Sequence, residues 1–337
     1  LHWNKTTLVL VEVEGGGKRG IGFTYADRAT AVMINDLLAQ TINGKDTFDI
    51  PQCWLAMVRA IRNLGRPGVS SMAIAAVDVA LWDLKAKLLS LPLVSLLGSV
   101  RQGVPIYGSG GFTSYSIEQL CKQLSGWVTQ GIKSVKMKIG SQPEEDPERV
   151  SAARAAIGPD AHLFVDANGA YSRKQALQLS NYFAEQGVRW FEEPVSSDDL
   201  EGLHLIRDHA PAQMDITAGE YGYDLHYFRR MLEAQAIDVL QADATRCAGI
   251  TGFMQVGALC WSRSMPFSAH CAPSIHVHPG CAVLSLRNLE FFHDHCRIEH
   301  MLFDGALSPV GGQLVPDLSR PGLGLEFKHQ DAARYAL

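Results

Sequence analysis

Seven residues that can move protons or hold cations recur along the chain, each closing a short apolar run. They are Lys138 in KMKIG, Asp166 in FVDANG, Glu192 in WFEEP, Glu220 in TAGE, Asp243 in LQAD, His270 in SAH and Glu299 in RIEH. Successive members lie 23 to 29 residues apart, about one strand–helix unit when a barrel of roughly 250 residues is shared among eight units. A lone carboxylate after a strand is usually a helix cap or a solvated loop residue. Seven in register call for a shared purpose, because the strand ends of a barrel converge on one face.

Asp166, Glu192 and Glu220 come from three consecutive units and supply only oxygen. That set suits a hard dication, Mg²⁺ ahead of Zn²⁺, at one ion per subunit. Strand residues alternate faces, so only one of Glu192 and Glu193 points inward, and Glu192 is assigned that place. Asn168, two residues past Asp166, is a candidate for holding a ligand or substrate oxygen. Lys136 and Lys138 share a strand face. Two ammonium groups beside a metal repel, which eases loss of a proton and makes a base usable near neutral pH. Asp243 and His270 end adjacent strands, where the carboxylate can orient the imidazole and raise its basicity. Glu299, if kept protonated, can donate to a substrate oxygen opposite the metal. Arg246 and Tyr221, just beyond Asp243 and Glu220, are candidate specificity contacts, and His276 or His278 is a candidate partner for substrate hydroxyls.

The elements around these residues fit that reading. Residues 7–25 alternate apolar and polar residues about Gly15-Gly16-Gly17, as a β-hairpin does. Helical patterns follow over 29–47, 52–64 and 71–89, with Ser70 and Ser71 as cap candidates for the last. Residues 1–103 are therefore expected to form a small α+β domain. From Val104 to residue 310, short apolar runs alternate with amphipathic stretches, the pattern of repeated βα units. Residues 311–337, rich in Gly and Pro at first, are expected to return to the first domain. Nothing in the 337-residue length, 47% hydrophobic content or 19% charged content departs from an α/β protein with a large core. A net charge of −5 without a basic stripe argues against nucleic acid, and no apolar run approaches the roughly 20 residues that span a bilayer. Seven scattered cysteines without a Cys-x-x-Cys pair suggest reduced thiols in a cytoplasm. Leu1-His2-Trp3-Asn4-Lys5 has neither an initiating Met nor signal-peptide character.

As an ordered set, AAVDVALWDLKAKLLSLPLVSLLG, the Lys-x-Lys strand, VDANG, FEEP, GE, the Asp strand followed by GITG, and the His strand resemble the enolase superfamily, specifically its mandelate racemase subgroup. The resemblance covers almost the whole chain. It implies a capping α+β domain on a modified (β/α)₇β barrel of the TIM type, with a first strand and its following loop missing from the start of this sequence. It implies that Asp166, Glu192 and Glu220 bind Mg²⁺ and that Lys138 is the base on one face of a small carboxylate substrate. Lys136 would modulate that base and touch the carboxylate, His270 with Asp243 would act from the opposite face, and Glu299 would complete the clamp. Such enzymes stabilise an enediolate after removing the α-proton. Relatives with this Lys/His pair most commonly dehydrate acid sugars, with His270 as general acid for the departing hydroxyl. Racemisation or epimerisation of a 2-hydroxy acid is the runner-up. Asp243 at strand six, where other members carry lysine, argues against the dipeptide epimerase and muconate cycloisomerase pattern. Barrels of this kind usually associate, so a homo-oligomer is expected. Two other classes compete. A zinc hydrolase is suggested by His276-Val277-His278 and His293-Asp294-His295, but its His-x-His belongs on the first strand, and VPIYGSG has none. A binding protein on an inactive scaffold would have lost a ligand or a base, and none is lost.

Overall fold

The computed structural model describes residues 5–336; Leu1 to Asn4, read above as lacking signal-peptide character, and Leu337 lie outside the described residues. Strands β1 (Leu8–Gly15) and β2 (Lys18–Tyr25) form the hairpin. Gly16 and Gly17 make its turn at φ +55° and +73°, the positive pair that a two-residue turn needs to follow strand twist. Helix α1 (Arg28–Met33), capped by Asp27, runs through a π turn into α2 (Ala39–Ile42), followed by α3 (Ile50–Ala60) and α4 (Val69–Leu88). The N-cap of helix α4 is Gly68 rather than the expected Ser70 or Ser71. Those serines lie buried within its first turn, where Ser71 donates to the Tyr223 carbonyl. Strand β2 lies directly on α4: a Cβ on Gly20 or Gly22 would stand 2.3 or 2.2 Å from the Ala80 or Ala76 carbonyl oxygen.

After α5 (Leu93–Leu97), the chain alternates β3 (Val104–Gly110), α6 (Ile117–Thr129), β4 (Ser134–Lys138), α7 (Asp146–Ile157), β5 (His162–Asp166) and α8 (Arg173–Glu185). It continues with β6 (Val188–Glu192), α9 (Leu200–His209), β7 (Asp215–Ala218), α10 (Leu225–Glu233), β8 (Val239–Ala242) and α11 (Gly249–Ser262). Strand β9 (Phe267–Ala269), α12 (Pro273–Ala282) and β10 (Leu286–Phe292) complete the series. These eight parallel strands close when β10 pairs with β3, giving an eight-stranded α/β barrel of the TIM type. Inside it Tyr107, Phe164 and Trp190 pack as a floor, with Phe164 and Trp190 stacked at 5.0 Å.

One strand assignment is corrected. RIEH lies in helix α13 (His293–Leu302), and the last barrel strand is the upstream run LRNLEFF. Beyond α13 come β11 (Phe303–Asp304), β12 (Gln313–Leu314), β13 (Glu326–Phe327) and α14 (His329–Ala332). Strand β12 pairs with the start of β3 and β13 with β11. The buried Asp83 carboxylate of α4 accepts from Ile21 N–H at 2.8 Å and Leu323 N–H at 2.7 Å, tying hairpin, helix and C-terminal segment together. Among the described residues no helix is long and apolar enough to cross a membrane.

Candidate active site

Strand register sets the site's height. Lys138 on β4 stands beside Asp166 on β5, and Asp166 beside Glu192 on β6. Laterally paired residues in a parallel sheet share a face, so all three project into the barrel at its carboxyl end. Glu220 reaches the same level from just past β7 because Gly219 takes φ +134°, where a Cβ would sit 2.1 Å from the Gln241 carbonyl oxygen. Oxygens of Asp166, Glu192 and Glu220 then lie within 4.8 Å of one another, all buried. Three convergent carboxylates with no nitrogen or sulfur donor fit a hard dication.

Lys136 and Lys138 neutralise much of that negative charge. Lys136 Nζ lies 2.5 Å from Glu192, 2.9 Å from Glu290 and 3.4 Å from Asp166, and 5.4 Å above the Tyr107 ring. Lys138 Nζ bonds to Asp166. The expected mutual depression of the two lysines is only one part of their balance. Burial, the largest influence, and Lys136 pull the Lys138 pKa down, but Asp166, Glu220 and Glu192 together hold it above the ordinary lysine range. Trp190 Nε1 and Gln241 Nε2 donate to Glu192 Oε2 at 2.9 and 3.0 Å, leaving Oε1 to Lys136. Glu193 is also buried, at φ +38°; its pKa is pushed up by burial and by Glu220 and Asp166.

Asp243 and His270 meet as expected, with Nδ1 of the imidazole 2.9 Å from Asp243 Oδ2. Thr245 fixes the other carboxylate oxygen through its N–H and hydroxyl, both at 2.7 Å. Burial opposes the charge on Asp243, yet its bond and attraction to His270 hold it ionised. Burial would likewise lower the His270 pKa, but Cys271, Glu220, Glu290 and the Asp243 bond raise it well above the usual value. His270 Nε2 is left facing Glu220 Oε2 at 3.1 Å.

Other expected residues fall differently. Glu299, on α13, does not join the cluster. Its Oε2 accepts from Ser274 N–H and hydroxyl at 3.1 and 2.6 Å, and burial pushes its pKa up to about 7. The strand-eight position belongs to Glu290, whose Oε1 is held by Ser109 at 2.5 Å and Lys136. Glu290 breaks the sequence pattern because the connections flanking α12 are short and it lies before the end of β10: it follows His270 by 20 residues, less than the spacing elsewhere. A single acid inside the apolar strand LRNLEFF was the available signal. His276 is fully buried and turned from the cavity. Its Nε2 accepts from Ala244 N–H at 2.7 Å, and its Nδ1 lies 2.8 and 3.0 Å from the Cys271 and Ala272 carbonyls. Backbone groups thus occupy both nitrogens, leaving none for substrate. His278 and His295 are buried too, bonded to Leu323 O and Ala272 N, so neither His-x-His pair forms a metal site. Arg246 Nη1 bonds to the Glu220 carbonyl at 3.0 Å, with its guanidinium 5.3 Å from the centre of the half-exposed Tyr221 ring. Asn168, at φ +45°, uses its N–H to hold Asp166 Oδ1.

Residues 2–98 match the family model of the mandelate racemase/muconate lactonizing enzyme N-terminal domain, and residues 119–332 that of the enolase C-terminal domain-like family. The chain is 31% identical over 334 residues to an L-talarate/galactarate dehydratase from Salmonella typhimurium, covering 97% of this chain and 82% of that one. Relatives at comparable identity are named cycloisomerases. A mandelate racemase/muconate lactonizing enzyme-like protein from Rubrobacter xylanophilus superposes with a TM-score of 0.98 at 53% identity, over 100% of this chain and 94% of that one. A racemase from Streptomyces coelicolor with bound magnesium gives 0.92 at 29% identity, over 98% and 92%.

Proposed function

Because the chain belongs to the mandelate racemase/muconate lactonizing enzyme family of the enolase superfamily, we propose that it removes the proton α to the carboxylate of a small acid sugar and then eliminates water. Asp166, Glu192 and Glu220 would hold one Mg²⁺. Bound there, that ion supplies positive charge for the second negative charge that develops on the substrate carboxylate as its α-proton leaves.

The observation that carries the reading is the placing of two proton-transfer groups on separate walls. Lys138 stands on β4, and the Asp243–His270 pair stands at the ends of β8 and β9. The three carboxylate strands fill one arc between them, and β10 and β3 the other. With a dication offsetting the carboxylates that favour its ammonium form, Lys138 would act as the free amine that takes the α-proton. Lys136, fixed by Glu192 and Glu290, presents positive charge to the substrate carboxylate. His270, protonated and oriented by Asp243, delivers a proton to the departing β-hydroxyl, which leaves as water. The talarate/galactarate dehydratase relative supports the acid-sugar class.

The same two-sided arrangement can return the proton to the opposite face, so racemisation or epimerisation of a 2-hydroxy acid is the second reading, favoured by the racemase neighbour. Incubating the Mg²⁺-loaded protein with mono- and diacid sugars in D₂O separates the two. A 2-keto-3-deoxy product establishes dehydration. Deuterium at Cα with inverted configuration and no keto acid establishes the isomerase. The absence of both outcomes, with these acids and with simpler 2-hydroxy acids tested alongside them, would overturn both readings.

A further inference from the structure

Next to the carboxylate cluster lies a second set of donors of different chemical character. Cys271 is the residue after His270, and continued strand geometry would turn its side chain to the opposite face. Instead the backbone leaves the strand at φ +53° for Cys271 and +37° for Ala272, which folds the thiol back beside the imidazole. Cys271 Sγ is 3.3 Å from His270 Nε2 and 3.3 Å from Glu290 Oε2, and those two atoms are 3.5 Å apart. All three side chains are buried.

A tetrahedral Zn²⁺ bound by one sulfur, one imidazole nitrogen and one carboxylate oxygen, at bond lengths of about 2.3, 2.0 and 2.1 Å, separates those donors by about 3.4–3.6 Å. The observed triangle therefore already has nearly the size of one face of such a site. The facing atoms have few competing partners: His270 Nε2 also meets Glu220 Oε2 at 3.1 Å, and Glu290 Oε2 also accepts from Cys271 N–H at 3.2 Å. Lys136 and Ser109 engage Glu290 through Oε1, so Oε2 carries only the Cys271 contacts and keeps a lone pair for a cation. Asp243 engages His270 through Nδ1, leaving Nε2 and supplying the outer carboxylate that orients many zinc-bound histidines.

We propose that His270, Cys271 and Glu290 form a site for a thiophilic divalent cation such as Zn²⁺, adjoining the oxygen-only site but with its own donor set, and that its occupation switches the enzyme off. On binding, the Cys271 thiol proton and the Nε2 proton of His270 are both released to solvent, and His270 binds as neutral imidazole with its Nδ1–H retained on Asp243. Thiolate and carboxylate together balance the dication. The fourth position goes to water. Mg²⁺ is too hard to compete for this donor set, whereas softer ions prefer it. A His270 whose Nε2 is coordinated has no proton to give, so inhibition, though not binding, rests on the catalytic reading above.

The test titrates the Mg²⁺-saturated protein with Cd²⁺ and Co²⁺ and follows thiolate-to-metal charge-transfer absorption, which needs no substrate. One equivalent should bind with such a band, Zn²⁺ should displace it, and Cys271→Ala and Cys271→Ser should lose it while still binding Mg²⁺. Cadmium NMR of the unaltered protein separates one-sulfur from all-oxygen coordination should both variants fail to fold. With substrate, Cys271→Ala should need at least about tenfold more Zn²⁺ for the same inhibition. A band that persists without Cys271, or an all-oxygen cadmium signal that simply replaces Mg²⁺, overturns the proposal. A band with no turnover of any acid would instead count against the catalytic reading alone.

Discussion

Lys138 and His270 divide the proposed chemistry, so their removal should fail differently. Lys138→Ala should abolish both α-proton exchange and product formation. His270→Asn should lower product formation by about 10²–10⁴-fold, the usual contribution of a positioned acid or base, while exchange on the Lys138 side persists. NMR of the substrate in D₂O reads both, and full activity in both variants would sink the mechanism. His276 makes a different kind of contribution. It joins Ala244, the neighbour of Asp243, to the Cys271 and Ala272 carbonyls beside His270. Burial keeps its pKa below the ordinary value, so one nitrogen donates and the other accepts. His276→Phe leaves the buried Ala244 N–H and Cys271 carbonyl without this partner, at about 1–3 kcal/mol each, while the Ala272 carbonyl keeps its backbone donors. Urea unfolding should show a loss in that range, and kcat should fall as the dyad loosens. Unchanged unfolding would mean water replaces the ring.

Helix α4 carries two buried carboxylates whose partners are far away in sequence. Asp78 accepts from Thr251 N–H and hydroxyl at 2.9 and 2.6 Å, closing the first turn of α11. Gly249 is needed there, since a Cβ would stand 2.2 Å from Asp78 Oδ2. Burial raises the Asp78 pKa to about 7, against hydrogen bonds from Thr251 that lower it. A carboxyl whose folded pKa exceeds its unfolded value of 3.8 stabilises the fold fully at low pH. That contribution fades as pH rises towards 7 and stays lost above it. Asp78→Asn should therefore gain stability relative to the parent between pH 4 and 7, by at most about 4 kcal/mol, and then level off. Denaturant midpoints across that range check it; parallel curves would show that Asp78 titrates normally. The element itself was legible, because AAVDVALWDLKAKLL is strongly helical. Its acids were not, since a residue that caps a helix 173 positions away leaves no local pattern. The barrel units were legible for the converse reason: each strand ends in a polar residue at near-constant spacing. Glu290 escaped where short connections around α12 broke that spacing, and RIEH was misplaced because four residues cannot distinguish a strand from a helix turn.

At the scale of the whole molecule, the N-terminal elements hold the same loops that position the dyad. Trp54 Nε1 donates to the Ala248 carbonyl at 2.8 Å, and Tyr25 stacks on His295 with ring centroids 3.4 Å apart. Thr24 is fully buried, and its hydroxyl donates to the Thr245 carbonyl at 2.8 Å. Thr245 in turn holds Asp243 Oδ1 with its N–H and hydroxyl, and Asp243 holds His270. One chain of hydrogen bonds thus runs from β2 to the proposed acid. Thr24→Val keeps the side-chain shape but strips the Thr245 carbonyl of its buried donor, at about 1–3 kcal/mol. If the chain positions His270, the variant should lose kcat with little change in KM and shift the kcat–pH profile, and Thr24→Ser should restore both. A stability loss with an unaltered profile would confine Thr24 to packing. In that case Thr245 and His276 alone would orient the dyad, and the N-terminal elements would contribute to the site only by covering it.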